Sequence, residues 1–174
     1  LRYACEHIPR VMVQSNGVNF GRREYFEQLA AQPVACVNFS LHGLKQTHED
    51  LTQIRGSFEA TVQAIQQCLA AGVRVASNMV LTAVNSDDKN IKELVALHAG
   101  LGMQEMTVTR FIPCGCGEEA GDLKIEHKTF LQALDTLTEE CENKGVSFLL
   151  ANATPVCKVE QRHEHLCNRC SFGY

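Results

Sequence analysis

The sequence predicts an α/β fold built on a parallel sheet, and its hydrophobic pattern supports that prediction in two ways. Short apolar runs rich in β-branched residues alternate along the chain with longer amphipathic stretches of helical period. Repetition of strand and helix in this order is typical of right-handed βαβ units. Periodicity alone does not separate a doubly wound sheet from a barrel. No GxGxxG or GxxxxGK(S/T) follows any of the runs, so nucleotide binding of those two kinds has no support.

Five apolar runs predict strands. Each is short and is bounded by Gly, Pro, Asn or charged residues, as strands usually are. Six of the ten residues at 73–82 are apolar, which favours a sheet covered on both faces. The predicted strands are Val11–Gln14, Val34–Leu41, Val73–Thr82, Met106–Ile112 and Val146–Leu150.

Four stretches between these runs predict amphipathic helices. In the second of them, Phe58, Val62 and Ile65 recur at spacings of three and four, which places them on one helix face. Asp87 or Asp88 can cap the N-terminus of the third, because a short carboxylate accepts hydrogen bonds from the first amides of a helix. The predicted helices are Arg23–Ala31, Phe58–Ala71, Asn90–Leu101 and Lys128–Lys144. Glycines suited to a left-handed C-terminal cap follow three of them, namely Gly72, Gly102 and Gly145.

Composition limits the classes of partner. The 174 residues are 45% apolar and 21% charged, as in a globular protein of one domain with the start of a second. The net charge is -4 and there is no long run of Lys or Arg, so we expect no nucleic-acid partner. No apolar stretch reaches the roughly 20 residues that cross a bilayer, so we expect no membrane partner.

Nine cysteines stand out in this composition. Cys5, Cys36, Cys68 and Cys141 lie in apolar settings, where a free thiol behaves as a small hydrophobe. An odd number of cysteines in a chain with a real core argues against a secreted disulfide framework. We therefore expect a reducing compartment, the cytoplasm.

The active site of a parallel α/β fold lies at the carboxyl ends of its strands. Polar groups or turn formers follow four of the predicted strands directly. These segments are Gln14-Ser15-Asn16-Gly17, Ser40-Leu41-His42-Gly43, Leu81-Thr82-Ala83-Val84-Asn85 and Arg110-Phe111-Ile112-Pro113.

In order and spacing, from Val11 to Pro113, these segments resemble the radical S-adenosylmethionine (radical SAM) superfamily. The resemblance is to members with a cysteine-rich C-terminal extension of the SPASM or twitch type. The third strand of that family commonly ends in Thr-Asn-Gly, and the fourth in Ser-Leu-Asp-Gly followed by His-Asp and Arg-Gly. The matching segments here are Ser15-Asn16-Gly17, Ser40-Leu41-His42-Gly43, His48-Glu49 and Arg55-Gly56, followed by Asn78–Thr82 with Asn85 for the fifth strand and Arg110-Phe111-Ile112 for the sixth.

Two elements of the family pattern are absent. The sequence has no Cys-x3-Cys-x2-Cys and no Gly-Gly-Glu segment, which in the family belong to the first two strands. We therefore expect an internal fragment whose residues 1–153 form a partial parallel (β/α) barrel, a TIM-like half barrel with family strands 3 to 6 plus one further strand. Residues 154–174 would open the cysteine-rich extension.

The resemblance implies S-adenosylmethionine and a [4Fe–4S] cluster as cofactors, with the cluster ligands outside this chain. It places Arg55 near the carboxylate of S-adenosylmethionine, which a guanidinium can bind through two hydrogen bonds. Ser40 would contact the ribose or the carboxylate, Asn78 the ribose, Ile112 the adenine, and Asn16 would shape the pocket.

Each of these residues also has a structural interpretation. Arg55 can be a solvated side chain at a helix start, Ser40 a strand-terminating serine, and Asn78 an interior amide paired to backbone. Ile112 can be a plain core residue, and Asn16 with Gly17 an ordinary turn. His42 and His48 are interpreted as surface-loop residues rather than as acid–base groups, since radical chemistry needs no particular histidine.

The last cysteines give a second signal. Cys167 and Cys170 are separated by two residues, and two thiolates at this spacing can bind one metal. Cys157 lies ten residues before Cys167. By resemblance, Cys170-Ser-Phe-Gly opens a domain that binds an auxiliary iron–sulfur cluster. A zinc site, or unliganded thiols, is the alternative. Cys114 and Cys116 follow a predicted strand and are interpreted as structural or incidental thiols.

The function that follows from the resemblance is radical SAM chemistry. The enzyme would cleave S-adenosylmethionine at the cluster and generate a 5′-deoxyadenosyl radical that abstracts hydrogen from a peptide or small-molecule substrate, with an electron donor as a further partner. The isolated fragment is expected to be inactive. The alternative is a non-catalytic, zinc-binding or scaffold remnant of an α/β barrel. An aldolase-like barrel is disfavoured because no predicted strand contains the lysine that Schiff-base chemistry requires.

Overall fold

A five-stranded sheet forms the framework of the chain in the computed structural model, which describes residues 1–152 and 159–166. The strands neighbour one another in chain order, and the pairs β1–β2, β2–β3 and β4–β5 are parallel. A doubly wound sheet reverses its strand order at a switch point, whereas a barrel keeps consecutive strands side by side. The predicted α/β fold is confirmed, and the order is consistent with a partial (β/α) barrel. The strands are β1 (Met12–Ser15), β2 (Cys36–Ser40), β3 (Val75–Leu81), β4 (Glu105–Arg110) and β5 (Ser147–Leu150).

Helices alternate with these strands. Within the described residues the α-helices are α1 (Arg2–His7), α2 (Arg23–Ala30), α3 (Lys45–Thr52), α4 (Ser57–Ala70), α5 (Asp88–Gly100) and α6 (His127–Lys144). Short 3₁₀ segments are Val18–Gly21, Gly115–Glu119, Gly121–Leu123 and Gln161–Leu166. The four predicted helices correspond to α2, α4, α5 and α6.

The chain divides into two compact units, Leu1–Asn78 and Met79–Tyr174. The first holds β1, β2, α1 to α4 and residues 75–78 of β3. The second holds the rest of β3 with β4, β5, α5 and α6. The predicted boundary between residues 153 and 154 stays a prediction, because residues 153–158 lie outside the described part of the chain.

The core of the first unit lies between one face of β2 and helix α4. Val37 and Phe39 alternate along β2 and are fully buried, and the ring of Phe20 packs edge-on against Phe39 with centroids 5.6 Å apart. Ile65 and Cys68 of α4 are fully buried as well. Of the apolar residues whose spacing predicted α4, only Ile65 is buried, whereas Phe58 and Val62 are half-buried. The buried face is displaced from the predicted stripe and consists mostly of small residues, namely Ser57, Thr61, Ala64 and Cys68.

The second unit is built around the packing of α5 against α6. Leu94 and Leu134 are fully buried, and the hydroxyl of Thr136 donates a 2.8 Å hydrogen bond to Asp88. The predicted cap of α5 is confirmed at Asp87, whose carboxylate accepts a 3.1 Å hydrogen bond from the amide of Asn90. The three glycines predicted to end helices have φ values of +74°, +79° and +66°: Gly72, Gly102 and Gly145.

Helix α3 was not predicted from the pattern. Its eight residues, KQTHEDLT, are mostly polar, so they carry no apolar stripe of helical period. The helix is held instead by side-chain contacts of its own, described with the site below.

Candidate functional site in the unit Leu1–Asn78

One face of the sheet in this unit is polar. Gln14 is paired with Asn38, and Ser40 is paired with Asn78 on the next strand. Residues opposite one another on neighbouring strands point to the same face, and so do residues two apart on one strand. These four side chains therefore share a face, while Val37 and its neighbours bury the other face against the helices. Barrel interiors are usually filled by bulky apolar residues, so a polar interior face is suited to a ligand.

Ser40 and Asn78 lie at the end of this face. Asn78 is buried, with 7% of its surface exposed, and its backbone oxygen accepts a 3.0 Å hydrogen bond from the amide of Leu41. Ser40 is the last residue of β2 and is half-buried. The hydroxyl of Ser40 makes no hydrogen bond to any residue that the structure describes, so it is available to a ligand.

Asn16 directly follows Ser15, the last residue of β1, which is paired with Phe39 of β2. Its side-chain oxygen accepts a 3.3 Å hydrogen bond from the amide of Val18, and its backbone oxygen accepts a 2.7 Å bond from the hydroxyl of Thr61 in α4. Gly17 adopts a left-handed conformation with φ +78°. This arrangement is a tight turn fastened to α4, as the structural interpretation of the Asn-Gly pair requires.

Arg55 lies in the turn between α3 and α4. Its side chain is exposed and makes no hydrogen bond or ion pair within residues 1–152 and 159–166. The backbone around it is fixed, because the amide of Gly56 donates a 2.9 Å hydrogen bond to Oε1 of Glu49. The guanidinium is thus carried on an ordered turn and is not used by the fold.

His42 and His48 form a small aromatic cluster at the end of β2. The interpretation of His48 as a surface-loop residue is wrong, because His48 lies in α3 with 1% of its surface exposed. Its ring stacks on that of His42 at 5.6 Å between centroids, and the ring of Phe58 packs against it at 6.1 Å. Nδ1 of His48 accepts a 3.2 Å hydrogen bond from the backbone amide of His42.

Burial sets the charge of both rings. It lowers the pKa of His42 to about 4, with a smaller contribution from the neighbouring His48, and it lowers the pKa of His48 as well. Both imidazoles are therefore neutral near pH 7. A neutral His48 can offer Nδ1 as an acceptor, which is what the bond from His42 requires.

Ile112 belongs to the second unit, where it follows β4. With 57% of its surface exposed it is not a core residue, so that alternative is excluded, and its contact with adenine stays a prediction. Arg110, two residues earlier, is fixed by Asn152, whose side chain accepts from the Arg110 amide at 3.0 Å and donates to its oxygen at 2.7 Å. Cys114 is exposed.

The predicted cluster ligands Cys157, Cys167 and Cys170 lie outside the described residues. Within the described ranges no three His, Cys, Asp or Glu side chains are grouped closely enough to hold a metal ion. A helix long and apolar enough to span a membrane is likewise not found in the part of the chain that the structure describes.

The sequence placed Gln14 in a strand-end segment without assigning it a role in the site, and Asn38 was not identified. The signal for Asn38 was its position two residues before Ser40, which places both side chains on one face of the strand. Sequence reasoning also missed the role of Asn85, which is fully buried. Its side chain accepts from the amide of Thr82 at 2.8 Å and donates to the oxygen of Val80 at 2.9 Å, so it locks the end of β3.

The donors of this unit fit the groups of S-adenosylmethionine. A guanidinium that the fold does not use matches a carboxylate, and a half-buried hydroxyl at a strand end matches a ribose or carboxylate oxygen. Arg55 and Ser40 supply these two groups, with the amide of Asn78 opposite Ser40 in the sheet.

Comparison with known proteins finds one matching family model and several similar proteins. The family model described as "Radical SAM superfamily" matches residues 1–97 of the 174. The mycofactocin maturase MftC of Mycolicibacterium smegmatis is 32% identical over 121 residues, covering 69% of this chain and 30% of that protein. The Fe-coproporphyrin III synthase of Methanosarcina barkeri is 26% identical over 86 residues, covering 49% of this chain and 21% of that protein.

Among solved structures, SuiB of Streptococcus suis bound to S-adenosylmethionine superposes with a TM-score of 0.70 at 16% identity, covering 88% of this chain and 34% of SuiB. That likeness shows the fold. The chain thus spans about a third or less of the length of these relatives. The match of the family model over more than half of the residues settles the family: the chain belongs to the radical SAM superfamily.

Proposed function

We propose that this chain provides the S-adenosylmethionine-binding strands of a radical SAM enzyme that modifies a peptide. The polar face of the first unit supports the proposal, because it ends in a hydroxyl and a buried amide, Ser40 and Asn78, at the edge where parallel folds place their sites. Membership of the superfamily supports the choice of ligand.

Each proposed contact follows from chemistry that the residue offers. Arg55 binds the carboxylate, Ser40 a ribose or carboxylate oxygen, and Asn78 the ribose. Asn16 shapes the pocket through its turn, since its side-chain oxygen is already engaged with Val18. Ile112 contributes an exposed apolar side chain for adenine.

When bound, the [4Fe–4S] cluster and S-adenosylmethionine supply a 5′-deoxyadenosyl radical for hydrogen abstraction. This chain has no Cys-x3-Cys-x2-Cys, so we propose that the cluster ligands come from residues outside these 174 and that an electron donor is a further partner. The isolated chain then orients S-adenosylmethionine without cleaving it.

A peptide is the proposed substrate because of what two relatives bind or are named for. MftC is a maturase, and SuiB has been solved with the precursor peptide SuiA. A small-molecule substrate is the second candidate, favoured by the similarity to Fe-coproporphyrin III synthase.

We propose further that Cys157, Cys167 and Cys170 begin a SPASM- or twitch-type domain over residues 154–174 and contribute to an auxiliary iron–sulfur cluster. Zinc is the alternative, and with it a non-catalytic scaffold. Metal analysis after anaerobic reconstitution of the full-length protein separates the two. Iron with sulfide beyond one [4Fe–4S] cluster supports the proposal, and stoichiometric zinc supports the alternative.

The deciding experiment is S-adenosylmethionine binding by the full-length, anaerobically reconstituted protein, measured by equilibrium dialysis. A hydrogen-bonded charge pair contributes about 1.5–3 kcal/mol, so Arg55→Ala should weaken binding about 10- to 100-fold. Arg55→Lys should recover only part of this, because an ammonium group lacks the planar fork. The control is Arg10→Ala, which removes another exposed arginine of the same unit. Equal affinities for the Arg55 and Arg10 variants would refute the assignment.

A further inference from the structure

Helix α3 joins the two segments that carry the proposed cofactor contacts. It begins five residues after Ser40, the end of β2, and ends three residues before Arg55. Two adjacent side chains of this helix, His48 and Glu49, bond to backbone amides at its opposite ends.

The first link fixes the loop that follows Ser40. Nδ1 of His48 accepts from the amide of His42, and the stacked ring of His42 covers the buried imidazole. Because Nδ1 is the acceptor, Nε2 carries the proton of the neutral ring. Nε2 is buried and finds no hydrogen-bond partner in the described part of the chain. The buried ring therefore carries an unsatisfied donor, and the hydrogen bond that Nδ1 accepts from the amide of His42 offsets part of that cost.

The second link fixes the turn that carries Arg55. Oε1 of Glu49 accepts a 2.9 Å hydrogen bond from the amide of Gly56, the residue next to Arg55. Beside it, the hydroxyls of Thr52 and Ser57 lie 2.8 Å apart and join the end of α3 to the start of α4. The bond from the Gly56 amide to Glu49 is one of the stronger hydrogen bonds of the turn, because its acceptor is a charged carboxylate.

The helix between the two links is a rigid spacer. A Cβ at Gly43 would lie 2.8 Å from the side chain of Thr47, so the loop after β2 is packed directly onto the first turn of α3. At this same end, the ion pair of Lys45, the first residue of α3, with Glu59, 2.5 Å long and exposed, adds a contact to α4. Exposed pairs contribute little, so the two backbone links are the main restraints.

We propose that His48 and Glu49 are positioning residues that act as a pair, holding the loop after Ser40 and the turn of Arg55 at a fixed separation. This inference rests on the proposed S-adenosylmethionine site. Neither side chain touches the ligand. Each restrains the backbone near a residue proposed to contact the ligand, His48 near Ser40 and Glu49 near Arg55. Because the two side chains are adjacent on one helix, the two restraints together set the distance between the loop and the turn.

Matched substitutions separate the links from packing. His48→Phe keeps the ring against His42 and Phe58 but removes the acceptor, whereas His48→Asn restores an acceptor near the place of Nδ1. Glu49→Ala removes the second acceptor, and Glu49→Gln keeps a neutral one. Ile65→Val, in the fully buried part of α4, lowers stability by about 0.5–1.5 kcal/mol and touches neither link, so it is the control for destabilisation.

Two measurements are made on each variant of the full-length, reconstituted protein. One is the dissociation constant of S-adenosylmethionine, and the other is hydrogen–deuterium exchange of peptides covering residues 41–44 and 53–57. We expect His48→Phe to speed exchange in the first peptide and Glu49→Ala in the second. Each should weaken binding about three- to tenfold, the usual effect of losing one hydrogen bond. His48→Asn and Glu49→Gln should recover most of both effects.

Unchanged affinity in His48→Phe and Glu49→Ala would overturn the inference. So would a loss that His48→Asn and Glu49→Gln share in full, or that Ile65→Val reproduces, because the role would then be general stability. If the wild-type protein does not bind S-adenosylmethionine, the proposed function fails. The exchange data then decide the positioning role alone, and unaltered exchange in both peptides would reject it.

Discussion

Replacement of Gly17 by alanine tests the close packing of the Gly17 backbone against helix α4. Gly17 has φ +78°, a conformation that costs an alanine about 1–2 kcal/mol. A Cβ at this position would lie 3.0 Å from Cα of Thr61 and 3.2 Å from Cδ1 of Phe39. The first of these atoms belongs to the backbone of α4 and cannot move aside without moving the helix.

The size of the effect follows from these contacts. Overpacking of a well-packed site costs about 1–3 kcal/mol, and displacement of Thr61 also threatens its hydrogen bond to Asn16, which contributes about 0.5–1.5 kcal/mol. With the backbone strain, and after the gain from a less flexible unfolded chain, Gly17→Ala should lower the free energy of unfolding by about 3 kcal/mol.

Gly72→Ala is the matched control in the same unit. Gly72 has φ +74°, and a Cβ there would meet nothing within 4 Å. The strain and the unfolded-state gain are shared by both variants, so their difference isolates the contact with α4 and should be about 2 kcal/mol. Urea unfolding followed by far-UV circular dichroism measures both, since the chain has no tryptophan. If the two variants agree within about 0.5 kcal/mol, the close approach of Gly17 to Thr61 is wrong.

Three further outcomes are expected in the second unit. Asp87→Ala removes the cap on the amide of Asn90 and should lower the free energy of unfolding by about 1 kcal/mol in urea titrations, whereas Asp87→Asn should lose less. Asn85→Asp replaces the donor to the Val80 oxygen with a carboxylate oxygen and should cost about 1–3 kcal/mol, with Asn85→Ala no better. Burial lowers the pKa of His98 from 6.5 to about 4, so below pH 6.5 only the unfolded chain takes up this proton. Stability should therefore fall as the pH drops from 6.5 towards 4, by about 2 kcal/mol at pH 5, and His98→Phe should abolish that part of the loss when unfolding is compared at pH 7 and pH 5.

The sequence predicted most of the framework for physical reasons that a single chain reveals. Strands that are buried on a face need apolar residues there, and α6 buries Phe130, Leu134 and Leu137 at spacings of four and three, so both leave a readable period. The glycines after three helices predicted left-handed caps because few other residues adopt that conformation cheaply.

Elements held by specific side chains left no such period. Helix α3 is polar and depends on the burial of one histidine and on the hydrogen bonds that His48 and Glu49 accept, so its sequence looks like a loop. Whether a histidine such as His48 is buried depends on what packs over it, here His42 and Phe58, and no local pattern encodes that.

The parallel topology allowed only the strand-end residues of the site to be predicted. The rule that strand ends converge led to Ser40, and the family resemblance led to Asn78, which the structure pairs with Ser40 across β2 and β3. Gln14 and Asn38 lie earlier on their strands and become members of the same face only once the register is known. That register depends on pairing between distant segments, which a single sequence does not specify.

Ser40 allows the ligand-binding interpretation to be separated from the structural one. A serine that stabilises a strand end does so through a hydrogen bond of its side chain. The hydroxyl of Ser40 makes no hydrogen bond to any of the residues described. Ser40→Ala should therefore change the free energy of unfolding by less than about 0.5 kcal/mol, as is usual where no buried partner is lost. The same change should weaken S-adenosylmethionine binding by the full-length protein about two- to tenfold, because one hydrogen bond to the ligand is removed. A ligand-binding role thus predicts a loss of affinity without a loss of stability. The opposite result, lower stability with unchanged affinity, would show that Ser40 stabilises the fold.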